Sequence, residues 1–170
     1  MPFAIHVIEL VNLVGALDLL PVAFADICQL GRDVTKGYEL GDGSIATLAT
    51  SDLALCMQSQ RQLAQACAQA SLALFNIGLH DSCQAKRCKT SIHDFRERIA
   101  SGEVPGLCSP SVFSSWIPSL QTQVPMICLQ CKNMLKAREE ELLRGVFERL
   151  PALVGVTKDG WGALTAGRGA

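Results

Sequence analysis

The 170-residue chain has no surplus of charge of either sign. Fifteen Lys and Arg stand against 16 Asp and Glu, a formal net charge of −1. Such a balance gives no global field for nucleic acid or an anionic membrane, so any contact of that kind is local. Aromatics are scarce at 5%, and Trp116 and Trp161 are too isolated to make a base-stacking platform. A long apolar run is missing as well. The most apolar stretch, MPFAIHVIELVNLVGALDLLPVAF, has no basic leader and is interrupted by His6, Glu9, Asn12 and Asp18. A membrane span needs about 20 nearly unbroken apolar residues, and a signal peptide needs a positive n-region. A buried amphipathic helix explains the stretch better, and no membrane contact is expected. Without an export signal, the chain is expected to be intracellular, cytoplasmic or nuclear, where thiols stay reduced.

Catalytic constellations are also absent. The sequence GDGS at 41–44 lacks the Lys and the helix that follow a phosphate loop. His80 with Asp81, and His93 with Asp94, are sequence neighbours suited to a turn or a helix's first turn. Nucleophilic catalysis instead needs a thiol, a His and an orienting carboxylate brought together in a cleft. No enzyme is expected.

What the chain does have is a core. Apolar residues make up 49%, and a chain of this length buries roughly 70% of its unfolded surface, so neither metal nor disulfides are needed merely to fold. Phe3, Val7, Leu10, Val11 and Val14 fall at helical spacing, with His6, Glu9 and Asn12 opposite, until Gly15. Asp18 is placed to cap a second helix, with Pro21 in its first turn and Phe24, Ile27 and Leu30 on its apolar stripe. Tyr38–Leu48, flanking Asp42-Gly43, predicts a short β-hairpin. A long helix over about 50–74 follows, lined by Leu53, Cys56, Leu63, Cys67, Ala70 and Leu74. Cys88, Ile92, Phe95 and Ile99 mark another helix, and Val112, Phe113, Trp116 and Ile117 a short one that Pro118 ends. Pro125 opens the last helix, which buries Cys131, Leu135, Leu142, Val146 and Leu150, while KAREEELLR forms a solvated mixed-charge face. The expected fold is mostly α, a helical bundle with one small β-hairpin: a single domain over 1–156, then a loose tail over 157–170.

Eight cysteines carry the sharpest signal. Cys56 and Cys67 lie on an apolar stripe, while Cys28 and Cys108 have no short-spaced partner, and all four read as structural. CQAKRC (Cys83, Cys88) and CLQC (Cys128, Cys131) are different. Zinc wants four thiolate or imidazole ligands in a tetrahedron, and two short-spaced pairs supply them. Each pair lies beside a helix start, where free backbone N–H groups stabilise thiolate. Lys86, Arg87, Lys89, Lys132 and Lys136 are placed to offset the net −2 of a zinc held by four thiolates. Four reduced cysteines packed in helix starts remain the competing reading, because the first pair has four intervening residues rather than two. His80 is an alternative fourth ligand. A thioredoxin-like redox pair lacks its α/β context.

Four stretches, VNLVGALDLLPVAFADICQL, GYELGDGSIATLATSDLALC, the Cys83/Cys88 pair and LQCKNMLKAREEELLRGVFERLPALVGV, occur here in that order. Over about residues 8–161 the chain resembles the helical region that follows the BTB (POZ) fold in mushroom-type fungal BTB proteins. The BTB fold's own strands and dimer-forming helices are not among these stretches, so its dimerisation and cullin docking carry over to no residue here. The resemblance implies a helical interaction or scaffolding region with both cysteine pairs kept together, which favours zinc. Phe3, Val7 and Leu10 are then expected to stay in part exposed as a protein-binding or self-association surface. The alternative function is a small zinc-dependent regulator that touches nucleic acid through Lys86, Arg87 and Lys89.

Overall fold

A computed structural model of the chain describes residues 4–39, 41–76, 81, 83, 86–104, 111, 113–124 and 127–156. Among them lie seven α-helices: α1 (Ala4–Val14), α2 (Leu20–Cys28), α3 (Thr50–Phe75), α4 (Lys86–Ala100), α5 (Ile117–Gln123), α6 (Leu129–Glu148) and α7 (Leu150–Leu153). Short 3₁₀ segments cover Leu17–Leu19 and Gly31–Lys36. The one sheet among the described residues is an antiparallel pair, β1 (Tyr38–Glu39) and β2 (Ile45–Ala46), with Tyr38 opposite Ala46 and Glu39 opposite Ile45. The fold is therefore mostly α with one small hairpin. None of the described helices is long and apolar enough to cross a membrane. The expected tail at 157–170, with Trp161, lies outside the described residues.

The chain divides into two compact units, residues 1–64 with 147–170, and residues 65–146. In the first unit α1 packs on α2, and α2 on α7. Its core contains Ile5, Ile8, Val11, Phe24, Ile27, Cys28, Cys56, Leu63 and Leu150. Burial of each large aliphatic side chain contributes roughly 1.5–3 kcal/mol, an upper value because the unfolded chain is already partly compact.

Two expectations for this unit need correction. The buried face of α1 is Ile5, Ile8 and Val11, while Val7, Leu10 and Val14 face outward. Ile5, Ile8 and Val11 on one side of His6, Glu9 and Asn12, and Val7, Leu10 and Leu13 on the other, both show three-residue spacing, so periodicity alone picks neither. Asp18 does not cap α2. It sits inside the 3₁₀ turn, and the residue before the helix is Leu19, with no side-chain cap. Pro21 does lie in the first turn, where its missing N–H costs no helical hydrogen bond.

The hairpin connection spans five residues, 40–44, rather than a two-residue turn. Asp42 holds it, accepting hydrogen bonds from the backbone N–H (2.9 Å) and hydroxyl (2.6 Å) of Ser44.

In the second unit the edge-to-face pair Phe75 and Phe95, with ring centroids 5.1 Å apart, joins Leu74, Ile92, Ile99, Trp116, Leu120, Leu135 and Val146 in the core. Pro118 opens α5 rather than ending a helix, because Pro is well suited to a first turn. The larger correction is Glu139. It belongs to the stretch expected to be solvated, yet it is only 4% exposed. One carboxylate oxygen accepts the Trp116 N–H at 2.6 Å, and the other accepts the Ser115 hydroxyl at 2.8 Å. Ser115 Oγ in turn accepts the Ile117 N–H at 3.2 Å. Ser115 thus accepts the first N–H of α5, and a side chain from α6 holds both Ser115 and the Trp116 N–H before it.

Gly37 ends the second 3₁₀ segment with φ 70° and ψ −170°, a region essentially reserved for glycine. A Cβ there would lie 2.6 Å from the Ala46 carbonyl oxygen, whereas one on Gly43 meets nothing within 4 Å. Urea unfolding should show Gly37→Ala losing about 2–3 kcal/mol and Gly43→Ala about 1 kcal/mol. Equal losses would mean that the close approach to β2 does not constrain the hairpin.

Candidate metal centre

Two helix starts build the site. Cys88 is the third residue of α4, and Cys131 is the third residue of α6. Cys128 immediately precedes α6, and its carbonyl accepts the Lys132 N–H at 3.0 Å, closing the first turn. Cys83 lies three residues before α4. Backbone N–H groups in a helix's first turn have no intrahelical acceptor, and sulfur is a suitable one when it carries charge.

The four sulfur atoms of Cys83, Cys88, Cys128 and Cys131 all lie within 4.8 Å of one another. Cys128 Sγ is 3.7 Å from Cys83 Sγ, and the Cys128 N–H donates to Cys88 Sγ at 3.3 Å. Zn–S bonds of about 2.3 Å in a tetrahedron place sulfurs roughly 3.8 Å apart. The widest separation therefore needs to close by about 1 Å. Cys88 and Cys131 are fully buried, and Cys83 and Cys128 are half-buried. Four convergent thiols form a soft donor set that suits zinc or iron and leaves no protein-free position around a four-coordinate ion. The residues present fit a metal ion.

The electrostatics separate the thiols. A hydrogen bond from the Cys131 backbone N–H, opposed by desolvation and helped by the neighbouring thiols, pulls the Cys128 thiol down to about 7. Cys88 moves the other way, pushed up chiefly by burial. Cys128 is thus better prepared than Cys88 to meet an ion as thiolate near neutral pH.

Of the other residues singled out by sequence, His80 and Cys108 lie outside the described residues, as does Phe3. His93 is exposed on α4. Arg87, Lys89 and Lys136 are exposed and Lys132 is half-buried, while of Lys86 only the backbone, in α4, is described. Val7 and Leu10 are exposed, at 36% and 56%, in company with Leu13, Val14, Leu17 and Leu19. Sequence reasoning missed one further arrangement: Cys28 and Cys56, far apart in the chain, have their sulfurs 3.4 Å apart. No short spacing announces such a pair. No family model, curated protein or solved structure matches this chain.

The lowered Cys128 pKa has a pH signature in the metal-free chain. The fold's preference for thiolate contributes stability above the unfolded value of about 8.5, and that contribution is lost as pH falls through about 7. Alkylation of Cys128, followed by peptide mass spectrometry, should rise through about pH 7. A midpoint near that of an ordinary thiol would show that the amide of Cys131 does not stabilise the charge.

Proposed function

We propose that this chain is a non-catalytic protein-interaction module, its second unit held by a structural zinc ion. The observation that carries the zinc reading is the convergence of four sulfurs from two helix starts within 4.8 Å. When bound, zinc would join the starts of α4 and α6. With protein sulfur in all four positions it would have no site for activating water. The exposed Arg87 and Lys89 on the first turn of α4, and Lys132 and Lys136 on α6, belong to the same two helices and favour the net negative charge of such a centre. The interaction role is supported by the apolar side chains turned outward along α1 and the following turn, and by the resemblance to the helical region of BTB proteins. Exposed apolar groups gathered in one segment, rather than scattered singly, are what a binding surface presents.

Metal analysis of the purified chain should find one zinc per chain. Cys131→Ser should lose it and destabilise the second unit by more than about 3 kcal/mol, since structural zinc commonly contributes on the order of 10 kcal/mol to small folds. Cys67→Ser, a buried thiol outside the cluster, should keep the metal, and chelation should mimic the Cys131 variant. A metal-free chain that is insensitive to chelators rejects the zinc reading.

The interaction surface is tested separately. Leu10→Asp and Leu13→Asp alter exposed side chains, so the melting temperature should hold while self-association or partner capture falls at least tenfold, about 1.4 kcal/mol. A strictly monomeric chain whose partner binding and solubility ignore both changes rejects this part. Binding to RNA or DNA with a steep salt dependence would instead favour the nucleic-acid reading.

A further inference from the structure

Outside the metal centre, the first unit buries a second thiol pair. Cys28 closes α2 and Cys56 lies in the second turn of α3, and both are fully buried. Their sulfurs are 3.4 Å apart, and the Cys28 thiol also reaches the Cys56 carbonyl oxygen at 3.4 Å. A disulfide is about 2.05 Å long, so the sulfurs need to approach by about 1.4 Å. We propose that Cys28 and Cys56 are an oxidation site, which hydrogen peroxide converts to a disulfide tying the end of α2 to the start of α3.

Three features make this pair suited to the reaction. The first is proximity, since a resolving thiol already in contact captures an oxidised sulfur before further oxidation. The second is polarity within the pair. The contact with Cys28 lowers the Cys56 pKa against the cost of burial, with help from the Gln60 side chain, while Cys28 is pushed up. Of the two sulfurs, Cys56 is therefore the one that loses its proton more readily and acts as the nucleophile. The third is access. Cys28 sits on the last helical turn, followed by the turn at Gln29–Leu30 and a 3₁₀ segment, and helix ends open at lower free energy than helix centres. A water-sized oxidant needs only that opening.

The steps balance. Cys56 thiolate attacks one peroxide oxygen, the O–O bond breaks, and the hydroxide released takes the proton that Cys56 gave up, leaving a sulfenic acid and one water. Cys28 sulfur then attacks Cys56 sulfur, the S–O bond breaks, and the departing hydroxide takes the Cys28 proton as a second water. Two thiols are oxidised to one disulfide and one peroxide is reduced to two waters.

The test treats the full metal-loaded chain with limiting hydrogen peroxide, blocks remaining thiols during unfolding, and maps linked peptides by mass spectrometry. The expected product is a Cys28–Cys56 linked peptide, formed while the metal is retained, together with a melting temperature raised by several degrees and returned by a reductant. Cys28→Ala should lose the linkage and the rise. Because the wild-type peptide map decides the matter by itself, a poorly folding variant does not blunt the test. Recovery of Cys28 and Cys56 unlinked, whether as free thiols, as sulfinic acid, or joined to other cysteines, overturns the proposal.

Discussion

Sulfur facing backbone amide is the constraint around which the second unit is arranged. The Cys128 N–H points at Cys88 Sγ, and the Cys131 N–H holds the charge of Cys128. The first bond ties the segment before α6 to the first turn of α4, and the second closes the start of α6 on itself. Four thiols drawn this close would repel if all ionised, so amides alone favour only part of the ionised state. A cation at the centre would remove the repulsion and let all four sulfurs be held as thiolates, with the amides still donating to them. The pre-set geometry lowers what an ion must reorganise.

Glu139 solves a different problem in the same unit. The residue that precedes α5 is Trp116, which has no side-chain oxygen to cap the helix. The carboxylate from α6 holds the residues just before the helix through two hydrogen bonds, one from the Trp116 backbone and one from Ser115, whose oxygen accepts the Ile117 N–H. Removing one partner of a charged, buried bond costs more than the bond's net worth, because the other partner is left dry. Tertiary capping of this kind therefore fixes where α5 meets α6, and the short helix depends on a residue distant in sequence.

Much of this architecture is readable from the chain because it rests on local rules. Cys88, Ile92, Phe95 and Ile99 announce α4 by spacing, and all four are buried. The cysteine pairs announce their own convergence by sitting beside helix starts. What escapes is whatever depends on distant partners. Glu139 stands among charged neighbours in a helix that looks solvated, and only the uncapped start of α5 explains its burial. Cys28 and Cys56 are each unremarkable on an apolar stripe, and only the packing of α2 with α3 makes them a pair. Pro118 reads equally as a stop or a start until Ile117 is known to begin the helix and Trp116 to lie outside it. The face of α1 is undetermined for a simpler reason, since the apolar stripes on either side of His6, Glu9 and Asn12 offer no contrast to choose between.

That lack of contrast has a structural consequence of its own. A helix buries at most the face its neighbours can cover, and α1, which packs on α2, buries Ile5, Ile8 and Val11. The opposite face keeps Leu10 and Leu13 in water at 56% and 84% exposure, against the hydrophobic cost of roughly 25 cal/mol for each Å² left uncovered. Polar substitution there would cost the first unit little, because those side chains contribute no core packing. The interaction role proposed for the chain rests on this apolar surface, which the fold itself does not require. The same unit holds its interior pair of thiols away from solvent, so its outward face and its buried sulfurs are separable features, open to independent change.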